Sequence, residues 1–175
     1  TTDRLRSALT LTDSLAVAGL TATLRGYQLA GVQWLLDRDG GAVLADDMGL
    51  GKTLQAIALM LCHPKAAHLV ICPTSVSANW AREIARHASG LRAVGDHDEA
   101  ALGTVTVTTY ARLRRDPDRL TGRLWGVVAF DEAVVAIVAV GRWRRSSTRP
   151  AGEWRHALRN GLQIGSVPFR FGVRI

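Results

Sequence analysis

The chain has 175 residues, 47% of them apolar and 21% charged, enough for one domain with a hydrophobic core and too few for two. Its net charge of +7 sits at one end: residues 1–133 carry fourteen basic and fourteen acidic side chains, whereas residues 134–175 carry eight Arg against Glu153. That distribution excludes reading the bulk charge as a basic nucleic-acid face on the main domain.

Residues 1–22 are polar and weakly patterned and are expected to be the end of an upstream segment or linker. Leu29, Val32, Leu35 and Leu36 then recur at helical spacing, which predicts an amphipathic helix from Tyr27 to about Arg38. Asp39-Gly40-Gly41 breaks it. Ala42 to Ala45 is a buried-strand candidate, followed by a Gly-rich turn and a helix from about Lys52 to Cys62. His68 to Cys72 predicts a second strand, which Pro73 ends, and Ser75 to His87 a helix with Val76, Trp80 and Ile84 on one face. Cys62 and Cys72 lie in apolar segments without metal-ligand spacing, which fits a reducing cytoplasm rather than a disulfide framework.

Val105, Val107 and Thr109 alternate as a third strand, Tyr110 to Arg115 suits a short helix, and Val127 to Phe130 is a fourth strand ending on Asp131-Glu132. The apolar run Val127 to Val140 is interrupted by that acidic pair and is too short to span a bilayer, so no membrane partner is expected. Strands alternating with helices imply right-handed crossovers and a mostly parallel sheet covered on both faces, an α/β fold. Beyond Val140 no clean period remains, and no structure is assigned there.

The strongest chemical signal is Asp46-Asp47-Met48-Gly49-Leu50-Gly51-Lys52-Thr53, between a strand and a helix. A loop so placed converges backbone N–H groups on phosphate oxygens, with the positive end of the next helix behind them. Gly49 and Gly51 permit the backbone angles and close approach of such a cradle. Lys52 would supply a charge to the β/γ-phosphates of a nucleotide, and Thr53 a hydroxyl to Mg²⁺. Lys52 and Lys65 are the chain's two lysines against 20 Arg, so an ammonium at this spot is not compositional noise. Asp46 stands where the strict phosphate-loop pattern wants Gly, and a Gly-rich turn that merely caps a helix is the alternative. Asp131 and Glu132 form the second element: one carboxylate suits Mg²⁺, and its neighbour suits orienting an attacking water. Alone such a pair is usually a solvated turn. The 78-residue gap from Thr53, spanning further strand–helix units, favours the catalytic reading.

LRGYQLAGVQWLL, ADDMGLGKTLQAIA, LVICPTSVSANWAREI, VTVTTYARL and WGVVAFDEA follow one another in an order that resembles the SNF2 family of helicase-like DNA translocases, over residues 23 to 133. It looks closest to the bacterial SNF2-like proteins. The resemblance implies a P-loop NTPase (RecA-like) fold, here an incomplete first lobe, and ATP hydrolysis coupled to movement along double-stranded DNA. It also implies roles by position: Gln28 reads adenine, Asp46 and Asp47 open the phosphate loop, Lys52 and Thr53 bind phosphate and Mg²⁺, and Asp131 and Glu132 form the metal-binding and catalytic pair. Thr74 and Thr109 fall in segments that contact the DNA backbone.

Departures from the family temper this. Val134 stands where Gln or His is usual, and the basic helix, the Gly-Thr-Pro segment and the second lobe with its arginine fingers are not found. With Thr1 in place of Met, these lead to the expectation of a fragment with negligible ATP hydrolysis on its own. The Arg-Trp-Gly-Val-Ser bias of residues 134–175 resembles a GC-rich gene read out of frame, giving the expectation of a frameshift near codon 133. A genuine divergent segment is the rival. Two other classes stay open: a non-catalytic nucleotide- or DNA-binding remnant, and an unrelated phosphate-loop enzyme such as a small kinase.

Overall fold

The structure, a computed structural model, describes residues 17–37, 40–98, 100–116, 118–121, 123–131, 136–140 and 172–174. In chain order the elements are α1 (Gly26–Leu36), β1 (Gly40–Leu44), α2 (Lys52–Leu61), β2 (His68–Cys72), α3 (Thr74–His87), β3 (Arg92–Gly95) and β4 (Thr104–Thr109). Then come α4 (Tyr110–Arg115), α5 (Asp118–Thr121), β5 (Val127–Phe130), β6 (Ala136–Val140) and β7 (Gly172–Arg174).

The seven strands form one sheet in the order β3-β4-β2-β5-β6-β1-β7. The pairs β3–β4, β4–β2, β2–β5 and β1–β7 are parallel, and β6 is antiparallel to both its neighbours, β5 and β1. β1 to β5 and β7 therefore all point one way, and β6 alone among the described strands is reversed. This is the expected mostly parallel sheet, with one departure. Within the apolar run Val127 to Val140, β5 and β6 pair antiparallel, with Phe130 opposite Ile137.

Every residue of β2 is buried, because the strand lies mid-sheet under helices on both faces. Val70 and Cys72 join Ile57, Met60, Trp80 and Ile84 in a core under α1, α2 and α3. Leu69 and Ile71, pointing the other way, join Leu113, Leu120, Trp125 and Val128 under α4 and α5. α2 is the most deeply set helix, buried continuously from Gln55 to Leu61.

Several expectations need adjustment. The first helix starts at Gly26 and stops at Leu36, and the first strand is Gly40–Leu44 rather than Ala42 to Ala45. In β4 the alternation of Val105, Val107 and Thr109 does not mark one buried face. Thr104, Thr106 and Thr108 are buried as well, since β4 lies between β3 and β2. β3 was not expected at all: four residues, two of them exposed, offer no period to detect. Two pieces of the 134–175 tail, β6 and β7, pair within the sheet; the rest of that tail lies outside the described residues. Part of the 1–22 segment docks too, through Thr21 N–H to the His87 carbonyl at 3.0 Å and Ser89 N–H to the Gly19 carbonyl at 2.9 Å.

Candidate functional site

In a parallel sheet the strand C-termini share one edge, and that edge is where loops gather polar groups. β1 delivers residues 45–51 there, β2 delivers Pro73 and Thr74, β4 ends on Thr109, and β5 ends immediately before Asp131.

The loop after β1 has the geometry of a phosphate cradle. Gly49 and Gly51 adopt φ of +84° and +78°, a region that L side chains enter at a steric penalty. At Gly51 space is also closed: a Cβ would lie 2.4 Å from the Gln28 amide nitrogen. Gly51 is the N-cap of α2 and offers no side chain to that helix's first N–H groups, and no acid stands in the first turn. Such a helix end is electropositive and ready for an anion. Asp47, Met48, Gly49 and Leu50 are exposed, with Met48 at 93%. The Lys52 ammonium curls back over the loop, donating to the carbonyls of Asp46 at 2.6 Å and Asp47 at 2.9 Å.

Gln28 is not the surface amide that its helix would ordinarily carry. It is 6% exposed; its Oε1 accepts the Arg25 N–H at 2.9 Å and its Nε2 donates to the Leu50 carbonyl at 3.0 Å. Tyr27 Oη–H reaches the same carbonyl at 3.2 Å. The start of α1 is thereby tied to the phosphate loop.

Asp131 faces the loop across the sheet edge. It lines a cleft of about 10 Å³ with Lys52, Thr53, Trp80 and Phe130, about the room one water needs. The structure thus brings Lys52, Thr53 and Asp131 together. Glu132 lies outside the described residues, as does Val134. Thr74 is exposed at the first turn of α3, where its carbonyl accepts the Ser77 hydroxyl. Thr109 is half-buried and caps α4 by accepting the Arg112 N–H at 3.3 Å. The two threonines belong to neighbouring strand ends, since Cys72 pairs with Thr109.

Three site residues escaped sequence reasoning. Gln55, fully buried on α2, donates to Asp46 Oδ2 at 2.8 Å and fixes the acid that opens the loop. Tyr110 Oη–H holds the Asp131 carbonyl at 2.9 Å. Trp80 Nε1–H donates to Asp131 Oδ2 at 2.6 Å. The available signal was general: a buried Trp or Gln needs a partner for its polar atom.

A Mg²⁺ ion takes hard oxygen ligands, keeps several waters, and commonly binds through one or two protein groups plus phosphate. Thr53 and Asp131 offer a hydroxyl and a carboxylate on one cleft, so the donor chemistry fits. No cluster of three or more His, Cys, Asp or Glu exists among the described residues, so the protein alone supplies no closed metal cage there. No described helix is long and apolar enough to cross a membrane.

Comparison with known proteins agrees with this geometry. The chain is 40% identical over 137 aligned positions to chromodomain-helicase-DNA-binding protein 1-like of Mus musculus, covering 66% of this chain and 15% of that protein. It is 38% identical over 151 positions to YwqA of Bacillus subtilis (strain 168), covering 74% and 16%. Among solved structures, the Sulfolobus solfataricus SWI2/SNF2 ATPase core in complex with dsDNA superposes with a TM-score of 0.59 at 37% identity, over 68% of this chain and 28% of that one. The chain therefore spans about one sixth of those two relatives and under a third of the archaeal core. The RecA-like fold follows from that superposition. The profile of the SNF2-related domain matches residues 27–136, and the chain belongs to that family of helicase-like ATPases.

Proposed function

We propose that residues 23–133 are the ATP-binding part of the first lobe of an SNF2-type DNA-dependent ATPase, with Mg²⁺ as its metal and double-stranded DNA as its track. Residues 1–22 and 134–175 flank that stretch, and β6 and β7 of the second segment join its sheet. The observation that carries this reading is the pair of left-handed glycines opening onto the uncapped start of α2, with Lys52, Thr53 and Asp131 on one cleft. Asp46 to Gly51 cradle the phosphates, Lys52 neutralises the β/γ oxygens, and Thr53 and Asp131 hold the metal. Glu132 orients the attacking water. When bound, Mg²⁺ supplies charge neutralisation on the phosphates.

Gln28 reads adenine. Its amide has two donor hydrogens and two acceptor sites, and its bonds to Arg25 and Leu50 use one of each. Thr74 and Thr109 meet the DNA backbone from adjacent strand ends. The two free cysteines, Cys62 and Cys72, suit a cytoplasmic setting.

Alone the chain binds ATP and turns it over negligibly, because a second lobe must supply the arginine charge, worth ~10³–10⁵ in rate. Calorimetric titration with ATP and Mg²⁺ should show binding that Lys52→Ala abolishes, with no phosphate passed to a small acceptor. Equal binding by the variant would sink the phosphate-loop reading. DNA-stimulated phosphate release by the purified chain would refute the lack of turnover.

A further inference from the structure

We infer that Trp80 is a positioning residue for the metal carboxylate: its indole N–H fixes how the carboxylate of Asp131 is turned at the cleft that Asp131 shares with Thr53. The inference rests on the proposed role of Asp131.

Asp131 is gripped along its whole length. Its backbone N–H donates to the Ile71 carbonyl at 2.9 Å, its own carbonyl accepts Tyr110 Oη–H, and Oδ2 accepts Trp80 Nε1–H. The first two bonds set where the residue leaves the sheet, and the third sets how its carboxylate is turned. Indole is a donor only, so it cannot reverse its polarity as a hydroxyl or amide can. Trp80 is 2% exposed, and one turn further along α3 Ile84 is fully buried in the same core. The ring is thus held by packing and has one fixed direction in which to present its proton.

This is the arrangement expected of a group that orients a ligand from behind, the kind of partner whose loss weakens metal binding about 10–100-fold. Packing alone would require the ring but not the proton. Trp80→Phe separates the two, keeping an aromatic ring while removing the donor.

The test is equilibrium binding of a non-hydrolysable ATP analogue to the whole chain, with Mg²⁺ and in EDTA. For the native protein, Mg²⁺ should tighten binding. Trp80→Phe should lose about tenfold of that tightening while its affinity in EDTA, carried by the loop and Lys52, stays as in the native protein. Trp80→His, which retains a ring N–H, should restore part of it. An undiminished Mg²⁺ effect in Trp80→Phe overturns the inference and leaves the phosphate-loop reading standing. Absence of any Mg²⁺ effect in the native protein removes both the inference and the metal role of Asp131 on which it rests. Should Trp80→Phe fail to fold, Asp131→Asn read by amide and indole NMR decides. The Trp80 indole N–H resonance is expected to move, and an unmoved resonance overturns the contact.

Discussion

Acidification should unfold this protein largely through one side chain that takes no part in the proposed chemistry. His68, on β2, is fully buried, and neither ring nitrogen has a hydrogen-bond partner. Burial, with a smaller contribution from nearby His63, lowers its pKa from 6.5 to about 4, while the His63 backbone pulls weakly the other way. The folded state thus disfavours the imidazolium, whereas the unfolded chain accepts a proton near pH 6.5. The stability held by the neutral ring is complete above pH 6.5, declines as pH falls through that value, and is wholly lost below about 4. At ~1.36 kcal/mol per pH unit the full loss is about 3 kcal/mol, and by pH 5 it is about 2 kcal/mol. Urea melts at pH 7.5 and pH 5 on the native protein and His68→Leu would isolate this share from the carboxylates. With a urea slope of ~1–3 kcal/mol/M, the native midpoint should fall further than the variant's by on the order of 1 M. At pH 7.5 the variant should be no less stable, because burying an unpaired ring N–H already costs about 1–3 kcal/mol. Parallel midpoint shifts in the two proteins would refute the argument.

Two glycines carry further predictions. Gly51→Ala forces a Cβ into φ +78° and against the Gln28 amide. A left-handed residue costs roughly 1–2 kcal/mol, so a lower thermal midpoint and loss of nucleotide binding should appear together. Gly126 immediately precedes strand β5, and a Cβ there would meet Ala66 Cβ at 2.5 Å and the His68 ring at 3.2 Å. Gly126→Ala should destabilise by roughly 1–3 kcal/mol in urea unfolding, with little effect on the Mg²⁺ dependence of binding.

The phosphate loop was legible because its signal is local: two glycines, a lysine and a hydroxyl within five residues, flanked by a strand and a helix. Asp131 was legible because a strand pattern ran straight into it. The partners that hold these groups were not. Trp80 donates to Asp131 across 51 residues and Gln55 to Asp46 across nine. Helical periodicity sorts residues by face, so it marked Trp80 as core and could not show where its N–H points. β3 was missed because Arg92–Gly95 is short and half-exposed. The reversal of β6 escaped for a different reason: an apolar run such as Ala136-Ile137-Val138-Ala139-Val140 reads the same in either direction, so its pattern carries no strand polarity.

That reversed strand acts as a gauge. β1, which carries the phosphate loop, and β5, which carries Asp131, are not neighbours; β6 fills the single place between them. Strands lie ~4.7–4.9 Å apart, so the two chemical arms leave the sheet roughly 9.5 Å from one another. If the arms were adjacent, Asp131 would crowd the Lys52 turn; two intervening strands would put it out of reach of any ion held by Thr53. The interval depends on one strand's width and not on which way that strand runs, so the gap across which a metal and a phosphate would be shared is set by the backbone alone.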